Sequence, residues 1–255
     1  MLKTRELGIF IDKIAIFMFL ITVLLQASDS EQRLRLEIRP QLYTDNNYAI
    51  QGNLGVEKVF DSNDDWIRYY IRPSVSQVLD HNWALHGGLG FYFTDYQDIE
   101  NNVETRPYLG ISHFYPLTDK WKMSSYFRVE ERCHDSNEDS TRLRFRLRTD
   151  YIINPLSNDD SWHKFMLSLE GFKSYFHDSE IDSVDTFDKE SQLTLAIERG
   201  LSKQDRVRFE LSWRYQEPPK EISTASVSTV TFRIQYYPVW GEILRNKLFL
   251  RGVEY

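Results

Sequence analysis

Thr141-Arg-Leu-Arg-Phe-Arg-Leu-Arg-Thr-Asp-Tyr151 decides the fold of this chain. Arg142, Arg144, Arg146 and Arg148 alternate with Leu143, Phe145 and Leu147. A β-strand sends successive side chains to opposite faces, so this segment has one apolar face and one charged face. No helix would separate the two sets in this way, because its period is 3.6 residues.

The same alternation recurs on both sides and gives six hairpins. The first pairs Arg33–Tyr43 with Ile50–Phe60, with Leu34, Leu36, Ile38 and Leu42 opposite Arg33, Arg35, Glu37 and Arg39. Trp66–Val78 pairs with Trp83–Thr94, Val103–Tyr115 with Trp121–Arg132, and Arg142–Ile152 with Lys164–Phe176. Ser191–Arg199 pairs with Arg206–Gln216, and Ser226–Tyr237 with Asn246–Tyr255. Runs of this length match a tilted strand crossing a bilayer. The expected fold is therefore all-β: an antiparallel, up-and-down outer-membrane barrel of about twelve strands, with ten to fourteen allowed. Pro40, Pro73 and Pro107 fall inside these strands, where each removes a ladder hydrogen bond, and are expected to mark bulges or strand ends near the rim.

The connections differ in character. Those within hairpins are turn-like, such as Thr44–Asn47, Leu79–Asn82 and Pro116–Lys120. Those between hairpins are acidic: Asp61–Asp65, Asp95–Asn102, His134–Ser140, His177–Lys189 and Glu217–Thr224. Trp83, Trp121, Trp162 and Trp240 lie beside the turns, as an aromatic girdle at one membrane interface would. Short turns are normally periplasmic, whereas chain ends are expected there too. The two rules conflict, since both ends belong with the acidic loops, and the terminus rule is preferred because the loop-length contrast is small.

The chain's start sets the expected compartment. Lys3, Arg5 and Lys13 precede Ile14–Leu25, apolar but for Thr22, and Ala27 offers a small residue for cleavage. This reads as a secretory signal peptide over 1–27, with one barrel domain over 28–255. The segment carries three positive and two negative charges, so its removal takes the net charge from −7 to −8. Such acidity argues against nucleic-acid binding. Cys133 is the single cysteine, which excludes an internal disulfide and a cysteine metal cluster. The six histidines have no metal-ligand spacing and the acidic loops lack a calcium-loop pattern. No cofactor and no metal is expected. The expected partners are outer-membrane lipid and anionic small solutes or oligosaccharides, and the protein is expected to be a monomer.

Tyr126-Phe-Arg-Val-Glu-Glu-Arg132, an acidic loop, and Arg142-Leu-Arg-Phe-Arg-Leu-Arg148 together resemble the paired arginine-rich strands of the domain of unknown function 2490 family. Trp66–Tyr92, around its Asn82-Trp83 turn, and Arg106-Pro107-Tyr108 are similar to the segments preceding that pair. The resemblance covers roughly Trp66–Tyr215 and implies a secreted outer-membrane β-barrel of Gram-negative bacteria, with no established activity. A weaker similarity is to the oligogalacturonate-specific porins, small barrels with arginine-lined lumens.

The charged face supplies the candidate site: Arg128, Glu130, Arg132, Arg142, Arg144, Arg146, Arg148, Glu170, Arg208 and Glu210. With a symmetric His134–Ser140 loop, Glu130 would face Arg144, Arg128 would face Arg146, and Arg132 would face Arg142. Two readings compete. Inward charges can form a compensating Arg/Glu ladder, or surplus arginines can line a path for anions. A third, catalytic reading rests on Ser76 falling opposite His86 on the polar face, a hydroxyl beside an imidazole, but no orienting acid is evident. The expectation is not an enzyme. It is a barrel in the membrane, with its apolar face outward. The alternatives are a soluble periplasmic binding barrel with the apolar face inward, and a lipid-acting outer-membrane enzyme.

Overall fold

In a computed structural model, the residues described are 31–45, 47–60, 65–97, 100–135, 139–153, 163–176, 187–201, 205–217 and 227–240. They form β1 (Glu31–Ile38), β2 (Gln41–Thr44), β3 (Tyr48–Gln51), β4 (Leu54–Phe60), β5 (Trp66–Ile71), β6 (Ser74–Val78) and β7 (Trp83–Tyr96). The remaining strands are β8 (Asn102–Pro116), β9 (Trp121–His134), β10 (Ser140–Ile153), β11 (His163–Phe176), β12 (Phe187–Gly200), β13 (Arg206–Glu217) and β14 (Val227–Tyr237). All lie in one sheet that β7–β8 pairing closes into a barrel. The expected leader, its cleavage site, Trp162 and the final strand Asn246–Tyr255 lie outside the described residues.

Six of these segments are the halves of three interrupted staves. Arg39-Pro40 separates β1 from β2, Gly52-Asn53 separates β3 from β4, and Arg72-Pro73 separates β5 from β6. Register runs straight through the breaks. The β4–β5 ladder at Leu54↔Ile71 continues as Gln51↔Ser74 between β3 and β6, and Ile71↔Phe91 continues as Ser74↔Gly88 on β7. Counted as staves, the described wall has eleven members, consistent with about twelve. Proline brings no N–H to a ladder, but its carbonyl still accepts. The Gly52 N–H donates to Pro40 O (3.0 Å) and the Leu89 N–H to Pro73 O (3.1 Å). A side chain at Gly52 would press on the Pro40 ring, which sits 3.3 Å from a Cβ built there. Pro40 and Pro73 thus end strand segments within the wall rather than at the rim. Pro107 stays inside β8, where the β8–β9 ladder passes from Thr105↔Cys133 to Tyr108↔Glu130.

Every seam is antiparallel except one. β1 runs parallel to β14, from Glu31↔Thr229 to Ile38↔Tyr236. The fully antiparallel, even-numbered closure expected from the hairpin count does not describe this seam. Eleven staves force a parallel closure, because strand direction alternates along the chain. Glu31 consequently lies at the rim of the acidic loops, and Trp240, the last residue described, at the rim of the turns.

At the turn rim, Asp45 Oδ1 accepts the N–H groups of Asn47 (2.7 Å) and Tyr48 (2.6 Å). Asp80 Oδ1 accepts those of Asn82 (2.7 Å) and Trp83 (2.9 Å). Thr118 Oγ1 does the same for Trp121 (2.9 Å). These side-chain caps satisfy turn donors that have no ladder partner. Backbone N–H donation also holds both aspartates below the ordinary carboxylate range, Asp45 through Tyr48 first and Asp80 through Asn82 first.

Alternation then sorts the side chains by face. Leu143, Phe145 and Leu147 point outward with Leu36, Ile71, Phe91, Leu109, Leu169 and Phe209; Phe145 is 48% exposed and Leu109 59%. Arg142, Arg148, Glu130, Glu170, Arg208 and Glu210 point inward and are buried.

Glycines shape the inner face of one wall. A Cβ on Gly55 would collide with the Tyr70 ring, on Gly88 with Tyr108, on Gly90 with Tyr92, and on Gly110 with Tyr126. Each tyrosine lies flat over a glycine of its own or the neighbouring stave, so the rings cover the wall instead of filling the lumen. Gly110 is the least tolerant, because its Cβ would also come within 2.9 Å of Phe127 O. Gly110→Val should expel Tyr126 and push the β9 backbone, costing about 1–3 kcal/mol as overpacking does. A lowered midpoint in a urea titration of the refolded protein is the expected readout; an unchanged midpoint would show that the ring is not seated there.

Candidate functional site

The inward faces enclose a cavity of about 420 Å³ lined by fifteen arginines and five glutamates, with no lysine and no aspartate. Nine carboxylates are buried in the wall: Glu37, Glu57, Glu104, Glu130, Asp150, Glu170, Glu190, Glu198 and Glu210. Each has a cation within 4.0 Å. Buried ions need that pairing, because an unpaired charge out of water is strongly unfavourable.

Glu37 is the most heavily shared. Its fully buried carboxylate meets Arg39 at 2.7 Å, Arg72 at 3.4 Å, Arg233 at 3.8 Å and Arg35 at 4.0 Å. It also accepts the Tyr70 hydroxyl and the Gln235 amide (2.7 Å). These partners come from β1, the β1–β2 break, β5, the β5–β6 break and β14, so one side chain ties both sides of the parallel seam to the interrupted staves.

The expected arginine hairpin is present with a two-residue difference in register. Arg142 pairs with Glu130, Arg144 with Arg128, Arg146 with Tyr126, and Ser140 with Arg132. The symmetric loop assumed from sequence is shifted because β9 runs on to His134, whose N–H donates to Asp139 Oδ1 at 2.8 Å. Two like charges, Arg128 and Arg144, therefore sit directly opposite. Each turns to a different acid: Arg128 to Glu130 on its own strand, and Arg144 to Glu170 on β11 (2.6 Å). Arg142 divides between Glu190 (3.2 Å) and Glu130 (3.7 Å). Arg132 bonds Glu104 at 2.7 Å, and Arg148 forms a two-pronged pair with Asp150 (2.6 and 2.8 Å). Arg208 bonds Glu198, and Glu210 holds Arg233 at 2.7 Å. Arg146 stands 4.0 Å from Glu170.

Glu57, Glu104, Glu190 and Glu198 were not singled out from sequence. Their signal is the same alternation, in segments where inward charges are scattered rather than set in a conspicuous row.

Aromatic rings fix the guanidinium planes. Arg106 lies over Tyr92 (4.0 Å), Arg128 over Tyr108 (4.5 Å), Arg72 over Tyr70 (4.8 Å) and Arg146 over Tyr126 (5.2 Å). These are the tyrosines seated on glycines, so glycine, ring and guanidinium form a three-layer unit repeated four times. Cation–π contact of this kind orients the cation and leaves its N–H edge for an anion.

Ser76 and His86 meet as the alternation placed them: the Ser76 hydroxyl lies 2.8 Å from His86 Nδ1. The other ring nitrogen, Nε2, is taken by Ser112 at 2.9 Å, which leaves no nitrogen for an orienting carboxylate. All three residues are almost fully buried. Among the described residues, no cluster of three or more His, Cys, Asp or Glu side chains is placed to hold a metal ion.

Removing the shared carboxylate by Glu37→Gln would leave guanidinium groups buried without compensation. Breaking a buried pair costs about 3–5 kcal/mol, less where water reaches the site. The variant should show reduced folding yield and a lower unfolding midpoint, whereas a wild-type titration curve would mean that the seam does not depend on Glu37.

No curated protein matches the chain. The model of the family described as "Protein of unknown function (DUF2490)" matches residues 35–220, most of the barrel wall including the glycine–tyrosine–arginine units and the β9–β10 hairpin. The chain belongs to that family.

Proposed function

We propose that this protein is exported behind a cleaved signal peptide, spans a Gram-negative outer membrane as a β-barrel, and takes anionic solutes such as acidic oligosaccharides into its lumen. The observation that carries this reading is the contrast between its two faces. Leucine, isoleucine, valine and phenylalanine cover the outside, while fifteen arginines against five glutamates line the cavity. An apolar belt of this extent is unfavourable in water and favourable in lipid. A soluble binding barrel would need the reverse arrangement.

Trp83, Trp121 and Trp240 lie exposed at the turn rim, with Trp121 packed on Tyr151 (4.8 Å) and Trp83 on His113 (4.4 Å). Amphipathic rings in such a row suit a membrane interface. The paired acids account for part of the lumen as a structural ladder. They do not balance its arginines, and a positive lining raises the local concentration of anions and disfavours cations.

The membrane half is tested by Phe145→Lys, which places a charge on the outward face. Near a bilayer midplane this costs about 2–4 kcal/mol. A folding titration into lipid vesicles should register that loss, and native protein should remain with outer membranes through a carbonate wash. Release of the native protein with the periplasmic extract would defeat this half.

The lumen half is tested by planar-bilayer recording. Purified protein should pass anion-selective current, and Arg144→Gln with Arg146→Gln should shift the reversal potential toward cations while folding survives. A wild-type protein without conductance would leave the charges as a structural ladder alone.

A further inference from the structure

Arg68 on β5 differs from the other arginines lining the cavity. Its backbone lies directly opposite Glu57, but Glu57 gives its oxygens to Arg35 (2.6 Å) and Arg33 (3.5 Å) on β1. Arg68 turns the other way. Its Nε–H donates to Thr94 Oγ1 on β7 at 2.8 Å, and its guanidinium lies over the Trp66 ring at 4.8 Å. Arg33 stands over the same indole at 5.2 Å. Among the described residues, no carboxylate forms an ion pair with Arg68 and no acceptor is bonded to its terminal nitrogens. Thr94 is almost wholly buried, so the plane of the guanidinium is fixed from behind while its outer edge borders the cavity.

We infer that Arg68, positioned by Thr94 and Trp66, is a binding site for one oxyanion, a carboxylate or a phosphate, at the acidic-loop end of the cavity. The terminal N–H groups form a planar fork that matches two oxygens of such a group. The fork is already oriented, so little conformational entropy is lost on binding. The acidic loop that precedes β5 ends at Asp65, three residues before Arg68, which places the site at that end of the lumen. The inference rests on the reading that the lumen takes anionic solutes, and adds which side chain receives the anion.

Trp66 supplies the assay. Among the described tryptophans it alone lines the cavity, so its emission reports occupancy of the site. The full chain in detergent micelles is titrated with galacturonate, with inorganic phosphate, and with neutral galactose, and Trp66→Phe identifies the responding ring. Galacturonate, phosphate or both should change the emission to saturation, and galactose should not; which anion binds tells whether a sugar acid or a phosphate group is the source. Arg68→Gln should weaken binding at least tenfold. Arg68→Lys, which keeps the charge but not the fork, should weaken it severalfold and serves if Arg68→Gln fails to fold. Thr94→Val should also weaken binding while leaving the barrel's heat-dependent gel mobility unchanged. Equal affinity in Arg68→Gln or Arg68→Lys, an equal response to galactose, or no response to either anion would overturn the site. Binding in micelles requires no current, so a silent bilayer with intact binding removes the channel and keeps the site. Current with no dependence of binding on Arg68 does the opposite.

Discussion

The barrel depends on how its last seam is held. Ten seams alternate in direction and one does not, and β1 and β14 meet there as parallel partners. Parallel ladders are slightly weaker per residue than antiparallel ones, so this seam is where added stabilisation matters most. Glu37 supplies it from inside the lumen. Its two oxygens offer about four lone pairs, yet four arginines, a tyrosine and a glutamine converge on them. The carboxylate is oversubscribed. Positive charge is therefore in surplus even where the wall is most tightly tied, and the seam and the lumen's electrostatics are one problem.

A second constraint is space. Small barrels usually fill their interiors with side chains. Here the inward tyrosines could have done so, but glycines beneath Tyr70, Tyr92, Tyr108 and Tyr126 let the rings lie against the wall. The arginines stack on those rings instead of crossing the lumen. A cavity of about 420 Å³ survives because the bulky residues are layered outward from its centre. This links four glycines, which contribute no side chain, to the presence of an arginine-lined space.

Much of this was legible in the sequence. The strand limits read from alternation agree closely with the wall, as in Lys164–Phe176 against His163–Phe176, because one-face burial fixes alternation at every second residue. The inward arginines followed from the same rule. Register across the β9–β10 loop did not, because a two-residue slip keeps every side chain on its face. Arg144 opposite Glu130 and Arg144 opposite Arg128 are equally consistent with the pattern, and the choice is made by His134 and Asp139 in the loop. The parallel seam was invisible for a related reason: local alternation carries no information about which strand closes the ring. The prolines conflict with an unbroken ladder, and paired breaks resolve the conflict at Pro40, which Gly52 accommodates across the β2–β3 seam. The glycine seats could have been found as inward glycines beside inward tyrosines, had alternation been applied to small residues as well as charged ones.

The ladder and the proposed anion path ask for different residues. A ladder needs acids and bases in comparable number, and it explains the nine buried carboxylates, all of which are paired. It does not explain Arg68, which passes over the acid opposite it. Were stability the only demand, this position would be better served by a neutral residue, because a lumen with excess positive charge repels itself. A ring and a threonine hold that guanidinium in place without an ion pair among the described residues. A positive group oriented by neutral partners keeps its field directed at the cavity, and a mobile anion is what such a field attracts.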